Sequence, residues 1–480
     1  MTGHPPPLRS TPAKAGAQVG LPVASGARTP EGDRFWAPAY AGVGAKEKML
    51  PRSAALTATT TALTTAALAF AAPAYAKTSV VTAARMLDVE SGRILDEPVV
   101  VVTDGRIASV VTRGGARPVI PEGAERIDLG DATILPGLID MHVHLAGSAR
   151  IRGYRGLEFT DSFWPTLGVV NAGNMLRAGF TTVRNLGSAD YADVALKQGI
   201  DGGFYPGPRI VPATYSFGAT GGHCGGSNLL PPSYKGITER GVNGPEAVRF
   251  KVRENRRFGA EVIKVCATGG VFSKNTEPGQ QQMTFDELKA AADEAHMLGL
   301  KVAAHAHGAD GIKAAIRAGI DTIEHASLID DEGIRLAKER GAFLSMDIFN
   351  TEFTQSEGKA TGALEENLRK DREVAQVQRD GFRRAHAAGV KLIFGSDAGV
   401  MPHETAAGQF ATMVRFGMTP VEAIRAATAT AARALGREKD VGAIAVGRYG
   451  DMVAVSGDPT RDVSLLERPL AVIKGGERVR

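Results

Sequence analysis

The sequence predicts an α/β fold, a (β/α)8 TIM barrel with a small β-sandwich domain built from both chain ends. Three observations point there. Apolar strand-like runs alternate with helical patterns from Thr133 to Ser396, and eight such runs suffice to close a parallel barrel. Short β-segments broken by glycine turns flank this region on both sides. No GxGxxG or phosphate-loop pattern follows an early strand, as an open doubly wound sheet would want. The expected limits are residues 77–134 with 440–480 for the sandwich, and 135–439 for the barrel.

The 480 residues, 43% of them hydrophobic, hold ample core material. Residues 1–48 are the exception: rich in Pro, Gly, Ala and Arg and without apolar periodicity, they read as an unstructured or untranslated leader. From Met49 the pattern changes. A basic start at Arg52 precedes an apolar, Thr-rich run from Ala54 to Ala72 and the triplet Ala74-Tyr75-Ala76. This is the pattern of a signal peptide over residues 49–76, with Met49 as the expected start and cleavage after Ala76. A transmembrane anchor competes, but the threonines and the small-x-small cleavage triplet argue against it. The expected location is secreted or periplasmic. The net charge of +4 belongs to this leader, since residues 1–76 hold seven Lys/Arg against three Asp/Glu, leaving 49 of each sign beyond. A neutral mature chain gives no reason to expect nucleic acid or a membrane as partner.

The first β-segments are Val80–Ala83, Val99–Thr103, Ile107–Val111 and Glu125–Leu129, with turns at Asp104-Gly105 and Gly114-Gly115. The C-terminal segments Asp451–Val455 and Leu470–Lys474 have the same character, so the two ends are expected to share one sheet assembly. The barrel strands expected between them are Thr133–Val143, Thr181–Leu186, Arg209–Phe217, Val262–Ala267, Lys301–Ala306, Thr322–His325, Phe343–Ile348 and Lys391–Ser396. Helical patterns follow most of these, among them Asp286–Leu298, Asp310–Ala318 and Glu332–Glu339.

The chemistry lies in where metal-capable residues fall, because the strand ends of a barrel converge on one mouth. His142-Val143-His144 closes the first strand, and a period of two points both imidazoles to the same side. His305-Ala306-His307 closes the fifth, His325 the sixth and Asp397 the eighth. Any one histidine at a strand end is more often structural. Six of the ten histidines at such positions, counting His223, argue for a shared site. Lys264 stands in the apolar run Val262-Ile263-Lys264-Val265, where an uncompensated ammonium would be costly. A neutral amine there can capture carbon dioxide as a carbamate and bridge two metals; a lysine paired with an inward Glu is the structural alternative. Two metals would polarise a shared water into a bridging hydroxide, and Asp397 would accept its proton and pass it to the leaving amine.

Only Cys224 and Cys266 are present, too few for a disulfide scaffold and without zinc spacing. Following consecutive strands near the mouth, they are placed to lie close together and could form one disulfide.

Leu135-Pro136-Gly137-Leu138-Ile139-Asp140-Met141-His142-Val143-His144 resembles the first-strand signature of the amidohydrolase superfamily, and Phe394-Gly395-Ser396-Asp397-Ala398-Gly399 its last; the closing Gly447–Val453 run resembles the family's return to its β-sandwich. Ile263-Lys264-Val265, Ala303–Gly308 and Thr220-Gly221-Gly222-His223 resemble the binuclear Xaa-Pro dipeptidase-like branch, which includes Xaa-Arg/Lys dipeptidases, prolidase-like enzymes and ochratoxin amidohydrolases. The resemblance implies that His142, His144 and Asp397 serve one metal, His305 and His325 the other, and a carboxylated Lys264 both. The ions would be two divalent metals, zinc foremost. His223 and His307 would contact substrate, with Tyr215 and Arg184 as weaker candidates. The implied substrate is a small peptide or N-acyl amino acid, including ochratoxin-type amides, and a homo-oligomer is expected. Hydrolysis of cyclic amides or deamination of heterocycles is the alternative on the same barrel; the deaminases usually work with one metal and lack the strand-four lysine. Two departures from the branch stand at the mouth: Asn185 where Asp is common, and Glu404 where Gly is usual.

Overall fold

The structure, a computed structural model, describes residues 77–116, 118–225, 230–231, 233 and 240–480. The expected leader and signal peptide lie outside the described residues.

Eight parallel strand positions form the barrel: Leu138–Val143, Phe180–Asn185, Arg209–Pro212 continued by Phe217–Gly218, Val262–Cys266, Lys301–Ala306, Thr322–His325, Phe343–Ser345 and Lys391–Ile393. Each pairs in parallel with its neighbours in sequence. The first and last meet through Met141 N donating to Phe394 O (2.9 Å) and Asp397 N to His142 O (2.8 Å), which closes the ring. Every residue of the first, second and fourth strands is buried, as expected of strands covered on both faces. Helices surround them. That of Phe285–Met297 starts at a capping box, where Thr284 and Glu287 satisfy each other's free backbone donors, and buries Leu288, Ala291 and Ala295 on one face.

The sandwich has a four-stranded sheet of Arg106–Val111, Val99–Thr103, Thr78–Thr82 and Glu125–Asp128, in that order, and a six-stranded one built from both chain ends. In the latter Met452–Ser456 lies antiparallel to Ala132–Pro136. Val81, Val100, Ile134, Met452 and Ile473 fill the space between the sheets.

The expected single strand Thr133–Val143 is two strands, Ala132–Pro136 in the sandwich and Leu138–Val143 in the barrel. They part at Gly137, where a Cβ would stand 2.1 Å from Thr181 Oγ1. Sandwich pairing therefore runs to Pro136, past the expected limit at residue 134. The expected strand Arg209–Phe217 is interrupted after Pro212, with Thr214 in the left-handed region at φ 62°. The hairpin Arg85–Asp88 with Arg93–Asp96 had no clear sequence signal, because charged residues bound both short strands. Among the described residues, no helix is long and apolar enough to cross a membrane.

Candidate metal centre

At the C-terminal ends of the strands lies a cavity of about 750 Å³, lined by His142, His144, Lys264, His305, His325 and Asp397 among others. His142, His144 and Asp397 offer ligand atoms within 4.8 Å of one another, as do His305, His307 and His325, and also His325, Asp347 and Asp397. The ring centroids of His142 and His325 are 5.0 Å apart, so the sets adjoin. Asp397 Oδ1 is 3.3 Å from His144 Nε2 and 3.5 Å from His142 Nε2. The backbone is strained here. His325 and Asp397 have φ of 68° and 56°, a conformation unfavourable for side chains with a Cβ, which turns both off the strand ends toward the cavity.

Burial lowers His142 to about 4 and His223 to about 3. It also holds His305 and His307 well below the ordinary value. These rings are neutral at pH 7, the state that binds metal. His325 is raised instead: burial opposes protonation, but the Asp347 carboxylate, 3.0 Å from its Nδ1, outweighs it. Asp397 is held low against its burial by the His142 and His144 rings. Lys264 is pushed down to about 8, first by burial, with Glu324 and Asp397 opposing at a distance. Among the described residues no hydrogen bond or ion pair reaches its ammonium, and the inward Glu324, the nearest candidate for a paired lysine, is engaged by Arg184 at 2.7 Å.

The remaining ring nitrogens are arranged to present one free atom each. His305 Nε2 is 3.0 Å from Gly269 O, His307 Nδ1 is 2.7 Å from Ser327 Oγ, and His325 Nδ1 faces Asp347. Neutral imidazoles steered in this way, with a carboxylate among them, are a donor set that fits divalent cations.

His223 stacks on His305 at 4.1 Å between centroids, and its backbone N donates to Gln282 Oε1. His307 lines the same cavity. Two expected substrate contacts are elsewhere. Arg184 is buried inside the barrel, pairing with Glu324 at 2.7 Å and donating to Thr322 Oγ1 and Met141 O. Its side chain crosses the barrel interior from the second strand to Glu324 on the sixth and is not part of the cavity wall. Tyr215 is buried beside the cavity, its hydroxyl donating to Asp190. Asn185 donates to Asp193 and Ser188 and accepts from Leu145 N, so it joins loops and does not reach the cavity. Glu404 pairs with Arg150 on the surface. Cys224 and Cys266 are joined in a disulfide, with Cα atoms 5.7 Å apart.

Several residues were not singled out in the sequence. Asp347 follows the seventh strand, a position whose expected end at Ile348 could have revealed it. Glu324, one residue before His325, stands 3.1 Å from His142 Nδ1. Asp140 accepts from His142 N, Ser396 N and Ser396 Oγ, tying the first strand to the loop carrying Asp397, and burial pushes it up to about 7.

A model of the amidohydrolase family matches residues 133–479. The chain belongs to the amidohydrolase family. Ochratoxinase of Aspergillus niger is 31% identical over 371 residues, spanning 72% of this chain and 75% of that protein. The crystal structure of a Xaa-Pro dipeptidase with bound methionine in its active site superposes with a TM-score of 0.79 at 34% identity, over 84% of this chain and 100% of that one. A prolidase complexed with N-methylphosphonate-L-proline gives 0.77 at 33% identity, with the same coverages. The resemblance and barrel expected from the sequence hold, and this amidohydrolase is a hydrolase acting on carbon–nitrogen bonds. The amidohydrolase family generally binds metal ions.

Proposed function

We propose that this amidohydrolase is a binuclear metallo-dipeptidase or N-acyl-amino-acid amidohydrolase, with two divalent ions, zinc foremost, and a carboxylated Lys264. The observation that carries the reading is Lys264 itself, buried, without a hydrogen-bond or ion-pair partner among the described residues, and in electrostatic reach of His142, His305 and His325 alike. As a carbamate it would supply oxygen ligands to both sets. His142, His144 and Asp397 would hold one ion, His305 and His325 the other. The ions would supply Lewis acidity and water activation near neutral pH. Asp397 would take the proton of the attacking water and return it to the leaving amine. His223 and His307, on the cavity wall, would bind the substrate. Export to an oxidising compartment belongs to the same reading, supported by the Cys224–Cys266 disulfide.

The test is a screen of the purified protein, reconstituted with zinc and bicarbonate, against dipeptides, N-acyl amino acids and cyclic amides, with metal content measured in parallel. About two ions per chain and turnover of the linear amides are expected. At most one ion per chain, or turnover confined to cyclic amides or heterocyclic amines, would overturn the proposal.

A further inference from the structure

Substrates of the proposed class end in a free carboxylate, and Arg184, one of the candidate substrate contacts, lies inside the barrel away from the cavity wall. The cavity contains another guanidinium. Arg152, in the loop after the first strand, lines the cavity and is only 7% exposed. Its backbone N donates to Thr361 O, its Nε to Ala149 O and its Nη2 to Val400 O. Phe272 and Phe353 stand against its plane at 4.6 and 5.5 Å. Nη1 has no hydrogen-bond partner among the described residues. Among the described residues no carboxylate forms an ion pair with it; burial lowers it to about 10, and Asp397 and Asp371 act on it only at a distance. A buried guanidinium offset by carbonyls and ring faces alone retains an unanswered charge, which costs free energy until an anion arrives.

We propose that Arg152 is the carboxylate anchor of this amidohydrolase, binding the free α-carboxylate of the substrate while the scissile amide sits at the metal centre. The inference rests on the proposed dipeptidase or N-acyl-amino-acid reading. Two features suit it to the task. The carbonyls of Ala149 and Val400 hold the guanidinium plane in place, so little side-chain entropy remains to be lost on binding. The planar fork matches a carboxylate in a way an ammonium cannot. Phe272, also on the cavity wall, covers one face of the guanidinium and restricts its access to water, which strengthens the pairing. The competing role is purely structural, in which Arg152 staples three loops through their carbonyls.

The two roles separate on substrate pairs that differ only at the terminus, an N-acyl amino acid and its C-terminal amide. The wild-type protein should prefer the acid. In Arg152→Gln the ratio of kcat/KM for acid over amide should fall by about ten- to hundredfold, through KM, with metal content unchanged. Arg152→Lys, which keeps the charge and loses the fork, should give an intermediate ratio, and it carries the test if the glutamine variant does not fold. A structural staple would lower both substrates alike. An acid-to-amide ratio that stays at the wild-type value in the folded variants overturns the anchor while leaving the dipeptidase reading intact. If the wild-type protein hydrolyses neither dipeptides nor N-acyl amino acids, the reading beneath it falls and the anchor with it.

Discussion

Asp347 Oδ1 lies 3.0 Å from His325 Nδ1, and the same oxygen accepts from Gln378 Nε2 at 2.8 Å, so the carboxylate that orients this histidine is itself held in place. The arrangement leaves Nε2 of His325 as the nitrogen available to a metal. Replacing Asp347 by Asn keeps the shape and removes the charge. Metal affinity should fall about ten- to hundredfold, as measured by competition with a chelator, with little change in thermal stability. Unaltered affinity would show that the ring needs no carboxylate behind it.

The ion pair of Arg184 with Glu324 is buried at the centre of the barrel, and Glu324 also faces His142. Arg184→Met strands the carboxylate and should cost about 3–5 kcal/mol in denaturant unfolding. The double variant Arg184→Met/Glu324→Leu should recover part of that loss, since the unpaired charge is gone. Equal losses in the two would mean that packing, not charge, decides the effect.

Lys264 binds its proton less tightly in the folded chain, at about 8 against an ordinary 10.5. Between those values the unfolded chain holds more protons, so the lysine's contribution to stability rises with pH across that window; below it the full cost of burying the ammonium is present. In metal-free protein, Lys264→Met should therefore be the more stable at pH 7, by a margin that narrows from about pH 8 upward. A margin independent of pH, followed by thermal melts of both proteins, would contradict the depressed value.

The Cys224–Cys266 disulfide closes a loop of 42 residues. Chain-entropy reasoning assigns such a loop about 4 kcal/mol. Reduction should lower the stability of the wild-type protein by up to this amount. The paired replacement Cys224→Ser/Cys266→Ser should show a similar loss and no further response to a reductant. A wild-type protein insensitive to reduction would place the stabilising contacts elsewhere.

Much of this protein was determined by sequence alone. His142 and His144 share a face because a strand alternates with period two, and Asp397 and His325 stand at strand ends marked by local apolar runs. Eight such runs could make a barrel only in one way, and the ends of its strands had to converge. What the sequence left undecided depended on register between distant segments. Gly137 parts two strands because Thr181, from the next strand, occupies the space of a side chain. Arg184 reaches Glu324, 140 residues later, and so serves the barrel interior. Arg152 faces the cavity because carbonyls from its own loop and from the loop after the eighth strand, 248 residues away, hold it there. Local periodicity states which way a side chain points; only the closed ring decides what it meets.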